Sequence, residues 1–354
     1  MDPARALAEA HHTTEAVLRI THVVVTDAFA GTERYVVEVA TLQVQRGHDV
    51  AVVGGRRATM LDLLPSQVTW SSGDTTPLAV RSLARGGRRD VVHSHVVKAD
   101  FAAAAAAPFT GGRRFSTRHI TAPRGHGRAA QTLAPMVRRG LTAELAVSRF
   151  VADEVTPRPD VVLLNGVAPQ ADVPAQREPL VVMAHRLAPE KDTPTGLRAW
   201  AASGLAARSW RLVVAGDGPE RAALEQLTRD LGIEDSTHFP GWVSAPEELF
   251  RRASIVLAPA PAEPCGLSIL EAMAWGTPVV TTASGGPLET VGRAVAPRLF
   301  PPGDAAAASA HLVSLASDEA DRQRYGADLR DLQRREFDLA GHVARLDEVY
   351  RSRR

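Results

Sequence analysis

Short apolar runs alternate with longer amphipathic segments along most of the chain, a pattern typical of βαβ units around a mostly parallel sheet. The apolar runs predict strands at 20–25, 50–53, 91–94, 115–118, 145–147 and 161–164, and a second series at 180–184, 211–215, 237–239, 255–258 and 279–282. Between the first two strands, apolar residues recur at helical spacing from Glu33 to Arg46, and Gly47 is a typical helix stop. The pattern therefore predicts an α/β fold.

One segment without periodicity separates the two series of strands. It runs from Val167 to Pro179, is rich in proline and alanine, and predicts a linker. A chain of 354 residues is long enough for two domains. We therefore expect an N-terminal Rossmann-like domain at 1–168, a C-terminal Rossmann-like domain at 169–335 and a C-terminal helix at 336–354, whose return to the first domain is left open. Because ligands of such sheets bind at the carboxyl ends of the strands, we expect the two domains to face each other across a cleft that holds the ligands.

The composition narrows the class of protein. Lysine and arginine total 41 against 40 aspartates and glutamates, a balance that argues against nucleic-acid binding. The single cysteine, Cys265, excludes an internal disulfide framework and a cysteine-based zinc cluster. The longest apolar run, Phe101 to Phe109, is too short to cross a bilayer, and the N-terminus lacks the apolar core of a secretory signal. We therefore expect a cytoplasmic protein without a transmembrane segment.

Two basic clusters, at 85–89 and 113–118, are compatible with a peripheral contact to a membrane surface or to an acceptor molecule. A solvated basic face is the commoner explanation of such clusters. The sequence gives no indication of the oligomeric state.

The stretch around Glu263 carries the most specific chemistry. It places Glu263 in a loop before a helix and Glu271 on that helix, with seven residues between them. Glu271 lies among apolar residues, where an unpaired carboxylate is costly, and the vicinal hydroxyls of a ribose would supply two donors to it. The backbone amides of Cys265, Gly266 and Leu267 would face a diphosphate with the helix dipole behind them. The pattern predicts a nucleotide-sugar site at this helix, with Glu263 on the sugar side of the diphosphate.

Two cations follow the end of a strand in the second series. Arg186 and Lys191 would lie at the mouth of the expected cleft, where a departing diphosphate develops charge. Almost all basic residues of the chain are arginines, so a lysine at position 191 is unusual. Its compact ammonium suits contact with phosphate oxygens. No Asp-x-Asp pair lies near a predicted strand end, so we predict no metal site.

Glycines near the strand ends are candidates for close backbone approach to the donor. Gly31 follows the first strand and would let backbone amides approach a phosphate or sugar. Gly285, Gly286 and Glu289 would form an amide nest and a helix start near the donor. Each pattern also occurs at ordinary helix starts.

Histidines close two strands of the first series, His95 after the third and His119 after the fourth. If the strand order is that of a Rossmann-like domain, both face the cleft, where an acceptor would bind. The spacing of His93 and His95 would suit a metal, but no third ligand is apparent. Cys265 has no visible base beside it and is interpreted as a small apolar filler rather than a nucleophile.

The run from Glu263 to Glu289 resembles the signature of the retaining GT-B glycosyltransferases of family four, the glycosyltransferase group 1 type. The resemblance rests on the glutamate pair, the small-residue helix, the strand Gly-x-Pro-Val-Val and the turn Gly-Gly-x-x-Glu. Further stretches match the family in its order, namely AGTERYVVEVATLQVQRGHDV, DVVHSH, FSTRHI, LLNGV, AHRLAPEKD, VVAGDGPER and HFPGWV. The first glycine loop departs from the family, because Ala30 and Gly31 stand where it usually has two glycines.

The resemblance implies the GT-B architecture, with the donor on the second domain and the acceptor on the first. It places His119 beside the transferred sugar, and it adds Gly218 and Gly286 to the donor site through their motifs. The implied catalytic residues are Glu263, His119, Arg186 and Lys191. His95 and His119 are the implied acceptor contacts.

We therefore expect a metal-independent enzyme that moves a sugar from a nucleoside diphosphate sugar to an acceptor with retention. The nucleotide sugar is a co-substrate, and no cofactor is expected. A small natural product is the favoured acceptor, and an envelope glycolipid or polysaccharide is the alternative. A GT-B epimerase or phosphorylase and a binding protein without turnover stay open, whereas the lack of Gly-x-Gly-x-x-Gly after the first strand argues against a nicotinamide oxidoreductase.

Overall fold

The structure is a computed structural model that describes residues 16–125, 127–174, 176–243 and 245–352. Two parallel sheets with helices between their strands make up the chain. The strands are β1 (Arg19–Val24), β2 (Asp49–Gly54), β3 (Thr69–Ser71), β4 (Val91–Ser94), β5 (Arg113–Arg118), β6 (Ala143–Ala146), β7 (Val161–Val162), β8 (Glu178–Ala184), β9 (Arg211–Ala215), β10 (Thr237–Gly241), β11 (Ala253–Ala258), β12 (Val279–Thr282) and β13 (Arg298–Phe300).

The helices connect these strands in the order that βαβ units require. They are α1 (Gly31–Gln45), α2 (Arg57–Leu63), α3 (Thr76–Gly86), α4 (Val97–Thr110), α5 (Arg128–Arg139), α6 (Arg149–Glu154), α7 (Thr193–Ser203), α8 (Arg221–Asp230), α9 (Pro246–Arg252), α10 (Leu267–Ala274), α11 (Ala305–Ser317), α12 (Glu319–Glu336) and α13 (Leu339–Ser352). Among the described residues, none of these helices is both long enough and apolar enough to cross a bilayer.

The first sheet has seven strands in the order β3-β2-β1-β4-β5-β6-β7. β1 pairs in parallel with β2 and with β4, so the strand order reverses between β1 and β4. Valines of the central strands are buried against α4, whose alanines Ala102, Ala103 and Ala106 let that helix approach closely. The carboxyl ends of β1 and β4 therefore form the first point where a ligand is expected.

The second sheet has six parallel strands in the order β10-β9-β8-β11-β12-β13. Its order reverses between β8 and β11, which are adjacent and central. Large apolar side chains, among them Trp200, Phe250, Phe300 and Phe337, are fully buried around it. Lys191 follows β8 and Glu263 follows β11, so both belong to the loops at this reversal.

Helix α10 is built for close packing between its neighbours. Ile269, Leu270 and Met273 are buried, whereas Leu267 is partly exposed. The helix ends near Gly276, and a Cβ on Gly326 of α12 would lie 2.2 Å from the Gly276 carbonyl oxygen. Only a glycine at 326 allows α12 to pack this closely onto the end of α10.

Every strand predicted from the sequence is present, and the structure adds the short edge strands β3 and β13. The predicted helix at 33–46 is α1, and Gly47 follows it with φ +89°. The predicted linker is only partly irregular. Val167 forms a β-bridge with Asp338, and β8 begins at Glu178. The helical C-terminus is broken into α12 and α13 by Phe337 and Asp338.

The chain forms two compact units. The first contains the chain up to Thr117, Arg124–Glu144 and the residues from Tyr350, and the second contains Arg118–Pro123 and Leu145–Val349. The last turn of α13 thus belongs with the first unit. There, Tyr350 donates or accepts a 2.6 Å hydrogen bond with Nδ1 of His93 on β4.

Arg177, at the end of the predicted linker, fixes the second sheet's helices. Its guanidinium donates to the carbonyl oxygens of Phe250, Arg251 and Ala253 at 3.0 Å and to that of Trp275 at 2.5 Å. These carbonyls terminate α9 and α10, where a cation also meets the negative ends of the helix dipoles. Burial, reinforced by nearby arginines, lowers the pKa of Arg177 to about 10, so the side chain stays charged at neutral pH.

We predict that Arg177→Ala destabilises the protein by about 3 kcal/mol, because partly buried carbonyl groups lose a charged donor. The matched control is Arg198→Ala, which removes an exposed arginine of α7 and should change the stability by less than about 0.5 kcal/mol. Thermal and urea unfolding measure both. Equal midpoints for the two variants would show that the Arg177 contacts contribute nothing.

Candidate functional site

The loop between β11 and α10 is held by direct backbone contact with the glycine turn after β12. The amide of Gly286 donates to the carbonyl oxygen of Glu263 at 2.8 Å. A Cβ on Gly285 would lie 2.5 Å from that same oxygen, and a Cβ on Gly286 would lie 2.5 Å from the carbonyl oxygen of Pro264. The glycine pair therefore positions the Glu263 loop, which explains Gly286 without any direct contact to a donor.

Gly266 makes the turn from this loop into α10. It has φ +79°, and a Cβ there would lie 2.8 Å from Cδ1 of Ile269, so a glycine is needed on both counts. Leu267 is the first residue of the helix, and Glu271 lies one turn further, half-buried. The predicted donor residues Cys265, Gly266 and Leu267 thus form one helix start.

The ammonium of Lys191 forms an ion pair with the carboxylate of Glu263. The Nζ–Oε2 distance is 2.5 Å, and the side chains are only 21% and 17% exposed. From the sequence we expect Glu263 on the sugar side of the diphosphate and Lys191 on its phosphate side, whereas the structure joins the two side chains directly. The pair lies at the strand reversal between β8 and β11, where ligands of such sheets bind.

The other predicted cation, Arg186, is exposed and pairs with Glu190 instead. Next to it, His185 donates or accepts a 3.0 Å hydrogen bond with the hydroxyl of Thr193 at the start of α7. Burial, and then the nearby Lys191, lowers the pKa of His185 to about 3. The positive charge at the end of β8 is therefore carried by Lys191 and Arg186 and not by this histidine.

Gly218 lies in the loop after β9, where the predicted glycine motif stands. A Cβ there would lie 2.2 Å from the carbonyl oxygen of Leu187, in the loop after β8. Its amide donates a 2.8 Å hydrogen bond to the side-chain carboxylate of Asp217. The glycine thus allows two strand-end loops to touch, which is a structural reason for the motif.

Cys265 is buried, and its thiol lies beside Asn165. Burial is the main cause that raises the pKa of the thiol to about 12. A thiol that stays protonated at neutral pH is a poor nucleophile, in agreement with its interpretation as a filler.

Glu289 ends a short 3₁₀ helix, Gly286–Glu289, that starts at the glycine turn as predicted, and its side chain makes a contact that the sequence did not predict. Its carboxylate accepts the amides of Arg149 and Phe150, each at 3.0 Å, at the N-terminus of α6. The hydroxyl of Ser148 accepts a third amide of this turn, that of Val151, at 3.1 Å. Glu289 therefore caps a helix, where its charge meets the positive end of the helix dipole.

His119 follows β5 and is half-buried near His342 of α13. Burial first, and then His342, lowers the pKa of His119 to about 3. His342 itself is hydrogen-bonded through Nδ1 to the carbonyl oxygen of Leu164 at 2.8 Å, and burial lowers its pKa to about 4. The sequence could not show that these two histidines lie near each other, because they are far apart along the chain.

His95 lies in a buried histidine cluster rather than at an open strand end. His22 of β1 is in register with His93 of β4, and His95 lies on the same face two residues later. One ligand atom from each of the three lies within 4.8 Å of the others. The prediction that His93 and His95 have no third potential ligand is wrong, since only the strand register shows that His22 joins them.

The cluster is closed by hydrogen bonds. Nδ1 of His22 lies 2.9 Å from Nε2 of His95, and its Nε2 lies 2.7 Å from Oε1 of Gln43. His93 also uses both ring nitrogens, toward Tyr350 at 2.6 Å and Thr117 at 2.8 Å. The three histidines are fully buried. This arrangement fits a polar core network, so an acceptor contact for His95 stays a prediction that its burial does not favour.

Gly31 is the first residue of α1 in the first compact unit. The carboxylate of Glu33 accepts the amide of Ala30 at 2.8 Å and so closes the start of that helix. Burial raises the pKa of Glu33. Gly31 is exposed and thus accessible, but its part in donor binding stays a prediction.

Residues 29–170 match the family model described as Glycosyltransferase Family 4, and residues 168–331 match the model described as glycosyl transferases group 1. The chain belongs to these glycosyltransferases. The matched regions include the Lys191–Glu263 pair, α10 and the glycine turn. Membership of the family is therefore supported by the same segments that build the candidate site.

Two relatives of this glycosyltransferase differ in the acceptors that their names give. The 2-deoxystreptamine glucosyltransferase of Streptomyces kanamyceticus is 29% identical over 184 residues, which are 49% of this chain and 48% of that protein. The GDP-mannose-dependent alpha-(1-6)-phosphatidylinositol dimannoside mannosyltransferase of Mycobacterium tuberculosis is 41% identical over 106 residues, which are 29% of this chain and 27% of that protein. The matched part thus spans about half or less of these relatives.

The fold of the glycosyltransferase is also that of solved structures. HepE of Anabaena in complex with UDP and glucose has a TM-score of 0.81 at 19% identity, over 95% of this chain and 100% of that chain. This likeness and the two parallel sheets confirm the predicted GT-B α/β fold.

We predict that Cys265 of the native glycosyltransferase reacts with iodoacetamide much more slowly than a free cysteine, because its thiol is buried and protonated. Mass spectrometry at neutral pH should show unmodified protein. The same chain in denaturant is the control and should take up one label, since it has one cysteine. Rapid labelling of the folded protein would contradict the burial of the thiol.

Proposed function

We propose that this glycosyltransferase transfers a sugar from a nucleoside diphosphate sugar to an acceptor, with retention at the anomeric carbon and without a metal ion. The observation that carries the proposal is the Lys191–Glu263 pair at the strand reversal of the second sheet, beside the N-terminus of α10. It combines a cation, a carboxylate and backbone amides within one pair of strand-end loops.

The donor would bind with its diphosphate at the start of α10. The amides of Cys265, Gly266 and Leu267 face it, and the helix dipole favours the negative charge. Glu271, one turn into the helix, would accept hydrogen bonds from the ribose hydroxyls. Lys191 is already paired with Glu263. The arriving phosphates would therefore either share the Lys191 ammonium with that carboxylate or displace the carboxylate from it.

Lys191 and Arg186 would stabilise the leaving group. As the bond between the anomeric carbon and the phosphate oxygen breaks, negative charge grows on the diphosphate, and a nearby cation stabilises it more in the transition state than in the ground state. Two cations and a helix N-terminus supply positive charge that a divalent ion supplies in other enzymes. The sequence contains no Asp-x-Asp pair near a strand end to hold such an ion.

Retention would follow a front-face route. The acceptor hydroxyl attacks the anomeric carbon on the side that the diphosphate leaves, and its proton passes to the departing phosphate oxygen. Glu263 would orient the sugar hydroxyls and stabilise positive character at the anomeric carbon. His119, whose pKa is lowered to about 3, is neutral at physiological pH and would offer a hydrogen bond to the sugar rather than a charge.

We propose a small natural product as the acceptor. The longer of the two relatives' matches is to an enzyme whose name gives 2-deoxystreptamine, a small molecule. The shorter match is to an enzyme whose name gives a phosphatidylinositol dimannoside, which keeps a glycolipid acceptor as the second candidate. We further propose that the nucleotide sugar is the only small molecule needed besides the acceptor and that the reaction takes place in the cytoplasm.

Transfer is favoured over the other reactions of this fold. Both relatives are named as sugar transferases, which argues against an epimerase or a phosphorylase. A binding protein without turnover is disfavoured because the charged residues of the site, Arg186, Lys191, Glu263 and Glu271, are all present.

The proposal is tested first by a panel of nucleoside diphosphate sugars, one of which should raise the thermal midpoint because a ligand of the native state stabilises it. The same donor should then be consumed in the presence of aminocyclitol or glycolipid acceptors, with and without EDTA. Nuclear magnetic resonance of the product reports the anomeric configuration. Absence of any stabilising donor would contradict the function, and loss of activity on chelation would contradict the metal-free mechanism.

We predict that Glu263→Gln and Lys191→Met differ in their effect on the binding of a bare nucleoside diphosphate. Glu263→Gln removes the carboxylate that competes with phosphate for Lys191, so a bare nucleoside diphosphate should bind as tightly as to the wild type or more tightly. Lys191→Met removes the cation and should weaken the binding of the bare diphosphate about tenfold or more. Calorimetry with the diphosphate and with the intact donor measures both. Equal weakening of the bare diphosphate by both substitutions would contradict the assignment.

A further inference from the structure

Basic and apolar side chains share one surface of the first compact unit. The segment between Asp100 and Glu144 contains seven arginines and no aspartate, glutamate or lysine. The whole chain has nearly equal numbers of acidic and basic residues, so an acid-free stretch of this length is a local departure. The two acids that bound it are buried.

Those two acids are neutralised inside the unit. Arg124 binds Asp100 through Nε at 2.8 Å and also pairs with Glu144, and Arg138 binds Glu144 at 2.7 Å. Both carboxylates are 1% exposed. They therefore add no negative charge to the surface of the segment.

The structure brings the two basic clusters of the sequence together. A Cβ on Gly111 would lie 3.1 Å from the guanidinium of Arg88, so Arg88 of the first cluster covers the chain just before the second. A Cβ on Gly140 would lie 2.7 Å from the guanidinium of Arg114, which places Arg114 at the end of α5. Arg139, in the last turn of α5, is exposed beside it. We call this row, Arg88, Arg114 and Arg139, the basic ridge.

Large apolar side chains are exposed on the two helices that end at the ridge. Phe109 in the last turn of α4 is 58% exposed, and Leu133 and Met136 of α5 are 48% and 67% exposed. The two helices pack on each other, and Val137 supplies the buried side of α5. Single exposed apolar residues are ordinary, but three on two neighbouring helices beside a basic ridge are the composition of an interfacial surface.

The acids at the start of β2 and β4 are paired. Asp90 binds Arg19 at 3.0 Å, and Asp49 binds Arg89 at 3.1 Å. The positive charge of the ridge is thus not offset by either of them.

We propose that the basic ridge together with Phe109, Leu133 and Met136 docks the protein on a bilayer that contains anionic lipid. Arginines would approach the lipid phosphates, and the apolar side chains would enter the boundary between head groups and acyl chains. The mixture of charge and exposed apolar surface favours a bilayer over duplex nucleic acid, whose non-specific binding rests on charge. The contact requires no turnover and goes beyond the proposed reaction.

The test is sedimentation of the full chain with vesicles of phosphatidylcholine alone and with vesicles that also contain phosphatidylglycerol. We expect binding only to the anionic vesicles, and weaker binding at high salt. Arg88→Gln with Arg139→Gln should lower the affinity by about 25-fold, at roughly fivefold for each arginine near an anionic surface. Phe109→Ser with Met136→Ser should lower it by at least about tenfold.

Two matched control variants carry the same kinds of substitution at exposed residues that lie outside the proposed membrane-binding surface. Leu61→Ser with Leu63→Ser alters an exposed apolar pair on α2, and Arg198→Gln with Arg211→Gln removes two exposed arginines of the second unit. Both should bind vesicles like the wild type. Circular dichroism confirms that all variants are folded.

Three outcomes would overturn the proposal. The first is a wild type that binds neither kind of vesicle. The second is equal loss of binding in the ridge variants and the controls. The third is binding to duplex DNA or heparin with no binding to anionic vesicles, which would assign the ridge to a different polyanion.

Discussion

The contact between the Glu263 carbonyl and the Gly286 amide, at 2.8 Å, is the constraint on which the candidate site depends. It joins the loop after β11 to the turn after β12 through backbone alone, with no room for a side chain at 285 or 286. Because the loop is fixed there, the turn at Gly266 and the start of α10 are fixed as well. The helix N-terminus can then face one defined point in space, as binding of a diphosphate requires.

The charges of the side chains near this point determine which ligands it favours. Lys191 and Glu263 neutralise each other in a half-buried pair, and burial keeps the neighbouring His185 neutral. A diphosphate bound as we propose would therefore meet a cation that is already oriented, and His185 would add no positive charge beside it. At the far end of α10, Arg177 holds the carbonyl of Trp275, so both ends of the helix are tied to the sheet.

The sequence predicted both parallel sheets, because their strands are apolar runs with clear helices between them. The sequence did not predict β3 and β13, because each strand has only three residues and the apolar pattern is too short to recognise. It identified Lys191, Glu263 and Gly286 as residues of one site, but it could not show that they touch one another, since their partners are distant along the chain. Glu289 illustrates the same limit, because a carboxylate after a glycine turn fits both a donor site and the helix cap that the structure shows. His22 is another such case, because only the register of β1 with β4 brings it to His93.

The central claim is that the glycine turn positions the donor loop, and the most direct test is nucleoside diphosphate affinity in Gly286→Ala. The added methyl would meet the Pro264 carbonyl oxygen at 2.5 Å and must displace the loop. Gly292→Ala is the matched control, because the atoms nearest to its new methyl lie at 3.5 Å or beyond. Calorimetry with the diphosphate identified in the donor panel should show at least about tenfold weaker binding for Gly286→Ala, the scale of an overpacked contact, and no change for Gly292→Ala. Unchanged affinity in a folded Gly286→Ala protein would contradict the claim that this turn builds the donor site.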